Sequence, residues 1–167
     1  MDKMEIKTKL SLNEYIKVNY YLTYTKPMMI FLTFIGLISL ISIPVYTTSS
    51  DQFPMAALIF GILFTIVFPA TVYSRARKNF MSNSRLSETI VYTFDDSNVQ
   101  LTGESFNVSM SWEKMYAVSE SKSWIFVWQN KLIANIVPKK DFSQETLNTF
   151  KSIVAKQKGI KNKLKEA

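Results

Sequence analysis

The sequence contains no cysteine and no histidine. Without cysteine there is no disulfide, no thiolate metal site and no sign of a redox compartment. Without histidine the chain lacks the commonest general base at neutral pH and the commonest metal ligand. Zinc chemistry and triad hydrolysis are therefore disfavoured; no metal or cofactor is expected, and the chain reads as a non-enzyme. Glycine is scarce too, at four residues. No glycine-rich phosphate loop, G-x-S-x-G elbow or S-x-x-K motif is present.

Charge is also missing over one long block. From Pro27 to Tyr73 the only charged residue is Asp51. Outside that block the chain is polar and basic, with 20 Lys and Arg against 13 Asp and Glu. A mean hydropathy near zero is thus the average of a membrane portion and a soluble portion. Two runs, PMMIFLTFIGLISLISIPVY (27–46) and FPMAALIFGILFTIVFPATVY (53–73), are each long enough as helices to cross roughly 30 Å of hydrocarbon. The link TTSSDQ is too short to hold a domain, which predicts an antiparallel helical hairpin. Pro27 and Pro54 stand at first helical turns, and Pro44 and Pro69 are expected near the far ends. Tyr46, Phe53 and Tyr73 are expected at the interfaces.

Lys17 and Lys26 precede the first run, while Arg75, Arg77, Lys78 and Arg85 follow the second; the link carries no positive residue. By the positive-inside rule both termini are cytoplasmic. A cleaved signal peptide would be shorter, earlier and unaccompanied by a second span. The hydroxyls Thr33, Ser39, Ser42 and Thr65 can bond back to their own helix, and no charge lies within either run, so an ion or proton path is not indicated. Ala57-x-x-x-Gly61 permits close helix approach.

Before the hairpin, EIKTKL alternates like a strand. SLNEYIKVNYYL has Ser11 and Glu14 in capping-box positions, with Leu12, Tyr15, Ile16, Val18 and Tyr20 for an apolar face. That helix lies either along the membrane or on the C-terminal domain. After the basic stretch SRARKNFMSNSR the apolar period becomes two. ETIVYTF, VQLTGE, SFNVSMSW, EKMYAVSES, WIFVWQ and LIANIV are short strands separated by turn residues, as in an antiparallel meander. An amphipathic helix follows, with Ser143 as its N-cap and Phe142, Leu147, Phe150 and Val154 toward the core. Strands leading into one such helix give an α+β domain. The N-terminal strand can add to an edge of its sheet, which would otherwise expose unpaired backbone groups. The expected order is an N-terminal strand and helix (1–26), the hairpin (27–73), a basic connector (74–86), the α+β domain (87–158) and a lysine-rich tail (159–167).

Asp95 and Asp96 are the only adjacent acidic pair in the sheet region. With no third carboxylate close by, a turn is the simpler reading than a metal or general-base site. In NIVPKKDF, Ile136 is expected to finish the last strand and Pro138 to stop it. Lys139 and Lys140 then bridge to the helix, or offer a basic corner. Arg75, Arg77 and Lys78, with Lys156, Lys158, Lys161, Lys163 and Lys165, are candidates for anionic headgroup contact at about 1 kcal/mol each near the surface. A solvated tail is the other reading of the C-terminal lysines. Nucleic-acid binding is not expected, because no aromatic-basic reading surface is present.

The acidic turn Asp95-Asp96, Trp112 opening WEKMYAVSES, the strand WIFVW, and IVPKKDF with Pro138, Lys139, Lys140 and Phe142 occur in one order between Glu88 and Phe150. On these residues the chain resembles the YcxB-like membrane proteins of bacteria. The resemblance implies two transmembrane helices and a cytoplasmic domain of the pleckstrin-homology type. The implied fold is a membrane helical hairpin plus an α+β domain: a small antiparallel barrel or sandwich capped by a C-terminal helix. The implied location is the bacterial inner membrane. The resemblance carries no established activity. Phosphoinositide recognition does not transfer with it, because the turn Asp95-Asp96-Ser97-Asn98, taken as the first hairpin loop, is acidic. Protein binding, self-association or membrane-associated assembly is the expected use. Self-protection against a membrane-active peptide or secreted toxin is the alternative.

Overall fold

Alternation in MEIKTK produces the first strand, β1 (Met4–Lys9), whose residues are alternately buried and exposed. The computed structural model describes residues 3–49 and 52–165. Asp51 of the hairpin link and Glu166 of the tail lie outside the described residues. The chain divides into two compact units: Arg85 onward together with the residues up to Leu10, and Ser11–Ser84. The contacts thus group β1 with the sheet region and the following helix with the apolar hairpin.

Unit Ser11–Ser84 is helical. In α1 (Leu12–Tyr24) the expected capping box is present, Ser11 accepting from the Glu14 N–H and Glu14 from the Ser11 N–H. α2 (Pro27–Ser49) covers the first apolar run. The second run forms α3 (Met55–Ile62), a π-helical turn (Leu63–Val67) and α4 (Phe68–Ser82) in continuous succession. Both helices, Pro27–Thr48 and Met55–Ser82, are long and apolar enough to cross a membrane. The second does not end near Pro69 as expected, and the stretch read as a connector is helical through Ser82. Its polar sequence hides an inward face: Ala76 is buried and the Phe80 ring lies 5.7 Å from that of Tyr15 on α1. α1 therefore packs on α4, and the Tyr20 hydroxyl donates to the Pro69 carbonyl at 2.8 Å. Pro69 has no N–H, and just before it the ladder widens to a Phe68 N–H donating to the Leu63 carbonyl. Thr33, Ser42 and Thr65 bond back to the carbonyls of Met29, Ser39 and Gly61, so these hydroxyls are satisfied within their helices. α2 and α3 cross at Gly36 and Gly61, which are both buried. Ala57, read with Gly61 as a small-residue pair, is half-buried.

The other unit has two four-stranded sheets. In the first, β1 pairs antiparallel with β2 (Thr89–Phe94), β2 with β3 (Asn98–Thr102) and β3 with β4 (Asn107–Ser111). The N-terminal strand thus joins the sheet edge with Met4 opposite Phe94 and Lys9 opposite Thr89. The second sheet runs β7-β6-β5-β8, from β5 (Ala117–Glu120), β6 (Trp124–Trp128), β7 (Ala134–Pro138) and β8 (Lys161–Lys163). It is mixed rather than purely antiparallel, because β8 runs parallel to β5. The residues read as a loose tail therefore include an edge strand. α5 (Gln144–Lys156) starts at the expected cap, Ser143 accepting from the Thr146 N–H. Its Phe150, Ile153 and Val154 enter one core with residues of both sheets. Phe94 meets Phe150 edge-on at 4.8 Å and lies 6.1 Å from Trp112.

Candidate functional site

The sequence-predicted residues of the sheet unit tie its elements together. Asp95 forms a turn, its Oδ1 accepting from the Ser97 N–H, the Asn98 N–H and the Ser97 hydroxyl. Burial pushes its carboxyl up, but these three donors and the charge of Lys3 outweigh that and hold it below the usual value. The Asp95 carbonyl accepts from Trp112 Nε1 at 2.8 Å, and the Asp96 carbonyl from Gln157 Nε2 at 3.0 Å. Lys156 lies 3.5 Å from the Asp96 carboxylate. Among the described residues no three acidic side chains gather as a metal site would need.

The NIVPKKDF segment is similarly braced. β7 continues past Ile136 through buried Val137 to Pro138, which sits opposite Trp124 at an edge where a missing N–H is tolerated. Lys139, Lys140 and Asp141 form a short 3-10 turn. Asp141 accepts from the Thr8 hydroxyl at 2.5 Å, linking the motif to β1, and Phe142 lies 5.8 Å from Phe150. Lys140 is exposed.

Of the proposed headgroup-contact residues, Arg75, Arg77 and Lys78 are exposed on α4 in the helical unit. Lys156, Lys158, Lys161, Lys163 and Lys165 are exposed in the sheet unit. Lys161 and Lys163 belong to β8, and Lys161 Nζ lies 4.9 Å from the Tyr116 ring.

Two arrangements were not legible in the sequence. The first is a cleft of about 230 Å³ between the sheets. Ile90, Tyr92, Leu101, Phe106, Met110 and Ile136 give it apolar walls, and Thr8, Arg85, Gln129 and Asn135 add polar groups. Arg85 lies over the Phe106 ring at 5.4 Å. Nearby in sequence, Glu88 is buried and accepts from the Ser105 N–H and hydroxyl. The Ser105 hydroxyl, then its N–H, hold the Glu88 carboxyl below its usual range. Among the described residues no acceptor meets the buried Asn135 Nδ2, an arrangement that costs free energy unless water or a ligand supplies one. Between Gln129 and Ala134 the β6–β7 loop exposes Leu132 (89%) and Ile133 (54%).

The second arrangement centres on Glu120, whose side chain is 2% exposed. It meets Lys139 Nζ at 2.5 Å and Lys151 Nζ at 3.4 Å, and accepts from the Lys165 N–H at 3.0 Å. Burial pushes its carboxyl up, but the Lys139 and Lys165 hydrogen bonds and the Lys139 and Lys151 charges hold it below the ordinary 4.5. A carboxyl so depressed stabilises the fold above its unfolded pKa, and that contribution disappears as pH falls through the folded value. Acidification below 4.5 is therefore expected to release the segment around β8, seen as a fall in the amide protection factor of Lys165. In Glu120→Gln that acid step should be absent; an identical step in the variant would exclude Glu120 as its cause.

The fold thus defines a class: a two-sheet domain closed by one helix, with an apolar helical hairpin inserted in sequence between its first two strands. Residues 94–154 match the family model described as YcxB-like protein, so the resemblance carried by the acidic turn, Trp112, WIFVW and IVPKKDF holds over that segment. The uncharacterized protein YcxB of Bacillus subtilis (strain 168) is 24% identical over 103 residues, 61% of this chain and 56% of that protein. The match thus spans little more than half of that relative's length. No solved structure matches the chain.

Proposed function

We propose that the chain is a non-enzymatic inner-membrane protein whose hairpin anchors a cytoplasmic, pleckstrin-homology-like domain that binds a protein partner. The cleft is the observation that carries this reading. It is smaller than the roughly 300–1,000 Å³ of typical small-molecule sites and is walled mostly by apolar groups. One apolar side chain, with a neighbouring peptide carbonyl to accept from Asn135 Nδ2, matches its chemistry. Leu132 and Ile133 extend the apolar surface beside it. The two apolar helices support an anchor, and the flanking Lys and Arg support cytoplasmic termini. The lack of Cys and His supports a binding role over catalysis.

The pleckstrin-homology reading is supported by two sheets of antiparallel pairs and a closing C-terminal helix. On it, the connection after β1 is occupied by the hairpin itself, and the Asp95 turn is the β2–β3 connection. The acidity of that turn then bears less on lipid recognition than the sequence reading assumed.

The test is a photo-crosslinking residue placed at Leu132 of the full chain in native membranes. A protein adduct of discrete mass is expected. Its yield should fall about tenfold in Asn135→Leu, equivalent to losing one good hydrogen bond at ~1.4 kcal/mol. Adducts with lipid alone would overturn protein binding at this cleft.

A further inference from the structure

We infer that the open side of β5 is a second binding site, for an extended protein segment, and that the chain's own residues 160–165 occupy it as an internal ligand. This site stands apart from the cleft and does not depend on the reading given to it. The occupying segment is held by three separable devices, each suited to a peptide rather than to this sequence alone. Backbone pairing is the first: Ala117 lies opposite Lys161 and Ser119 opposite Lys163, with the Lys161 N–H donating to the Tyr116 carbonyl at 3.3 Å. The second is a pair of apolar anchors, Ile160 and Leu164, which pack against the core while Lys161, Asn162 and Lys163 stay exposed. These two anchors flank β8 on either side and are its apolar contacts with the core, so they define the specificity.

The third device grips the backbone of a single residue from both sides. Glu120 Oε2 accepts from the Lys165 N–H, and Lys151 Nζ donates to the Lys165 carbonyl at 2.7 Å. A buried carboxylate and its lysine partner thereby read an N–H and a C=O, groups that every residue but proline offers together. The ligand class is an extended segment with apolar residues at positions 1 and 5 and a non-proline residue at position 6. Main-chain pairing supplies affinity and the side-chain pockets supply selectivity, as in other strand-addition sites.

The internal ligand is built to be displaced. β8 is three residues long, and all three are exposed. Short exposed elements of this kind open at low free energy. The segment follows Gly159, whose φ of +97° favours glycine and around which an added Cβ would meet nothing within 4 Å. The competing occupant is a segment of a different protein rather than the same strand of a second copy. Residues 157–160 are all that join α5 to β8, and four residues reach at most about 14 Å. A strand tethered that tightly reaches another copy only if the two domains are almost in contact.

The experiment uses the full chain in detergent and a labelled peptide of residues 159–167. Leu164→Asp in the chain should detach the internal segment while leaving β5 intact. That variant is expected to bind the peptide saturably. The native chain should bind it at least tenfold more weakly, because its own segment competes at millimolar effective concentration. Adding Glu120→Gln to Leu164→Asp should weaken binding again, whereas adding Asn135→Leu should leave it unchanged, which separates this site from the cleft. Equal binding by native and Leu164→Asp chains, or none by either, would overturn the proposal. So would native dimers held by an exchanged β8, detected as an intermolecular disulfide between Ser119→Cys and Lys163→Cys copies. As a guard against misfolding, the variant should keep a cooperative thermal unfolding transition.

Discussion

Trp112→Ala is expected to destabilise the sheet unit by about 3–5 kcal/mol, the usual range for truncating a large buried aromatic. Trp112 is 1% exposed and stacks near Phe94, which in turn meets Phe150 of α5, so one ring joins the first sheet to the closing helix. Its Nε1 also satisfies the Asp95 carbonyl, and its backbone N–H donates to the Ser97 carbonyl. Truncation therefore opens a cavity and leaves a turn carbonyl without its partner. For a domain of this size 3 kcal/mol corresponds to at least ~12 °C in Tm. Near-ultraviolet circular dichroism of the full chain in detergent provides the measurement. Trp112→Phe keeps most of the volume and loses only the Asp95 bond, so a smaller cost of about 1–3 kcal/mol is expected. A Trp112→Ala chain that melted with the native one would refute the role given to this residue.

The second large effect lies in the helical unit. A Cβ on Gly61 would stand 2.5 Å from Leu40 Cγ and Cδ2 and 3.1 Å from the Gly36 carbonyl oxygen. The leucine end can swing aside, but the facing backbone cannot, so the two helices must separate. Gly61→Leu is expected to cost about 1–3 kcal/mol or more of hairpin packing. Because the native chain has no cysteine, fluorophores can be attached to cysteines introduced at Lys26 and Tyr73. Energy transfer between them should drop in Gly61→Leu and stay near native in Ile59→Leu, a substitution at an exposed position on the same helix. Unchanged transfer in Gly61→Leu would show that the crossing does not depend on this contact.

What could be read in advance was local. The Ser11–Glu14 box and the Ser143 cap join residues three apart, and both helices begin where those residues stand. The apolar runs and the period-two strands are likewise written in adjacent residues. What escaped depends on partners remote in sequence. α4 runs on through Arg75, Arg77, Lys78 and Asn79 because α1 covers the Ala76–Phe80 side, a fact absent from those residues themselves. Lys161–Lys163 look like solvated tail, yet form a strand because β5 has a vacant edge and Ile160 and Leu164 have somewhere to pack. Glu120 drew no notice because its three partners come from the turn after β7, from α5 and from beyond β8. The cleft, lined from five different strands and their flanks, has no signature in any one segment.

The placement of the hairpin between β1 and β2 couples the folding of the two units. Lys9 and Thr89 are neighbours across the ladder although the whole helical unit separates them along the chain. If that unit were an unstructured loop, closing it would cost chain entropy that grows with the logarithm of its length. The packed unit removes most of that cost, since Tyr15 near its start and Phe80 near its end are in ring contact. Folding and pairing of the helices therefore lowers the cost of completing the β1 edge of the first sheet. Completion of the sheet and folding of the hairpin are thereby linked through the entropy of the chain between them.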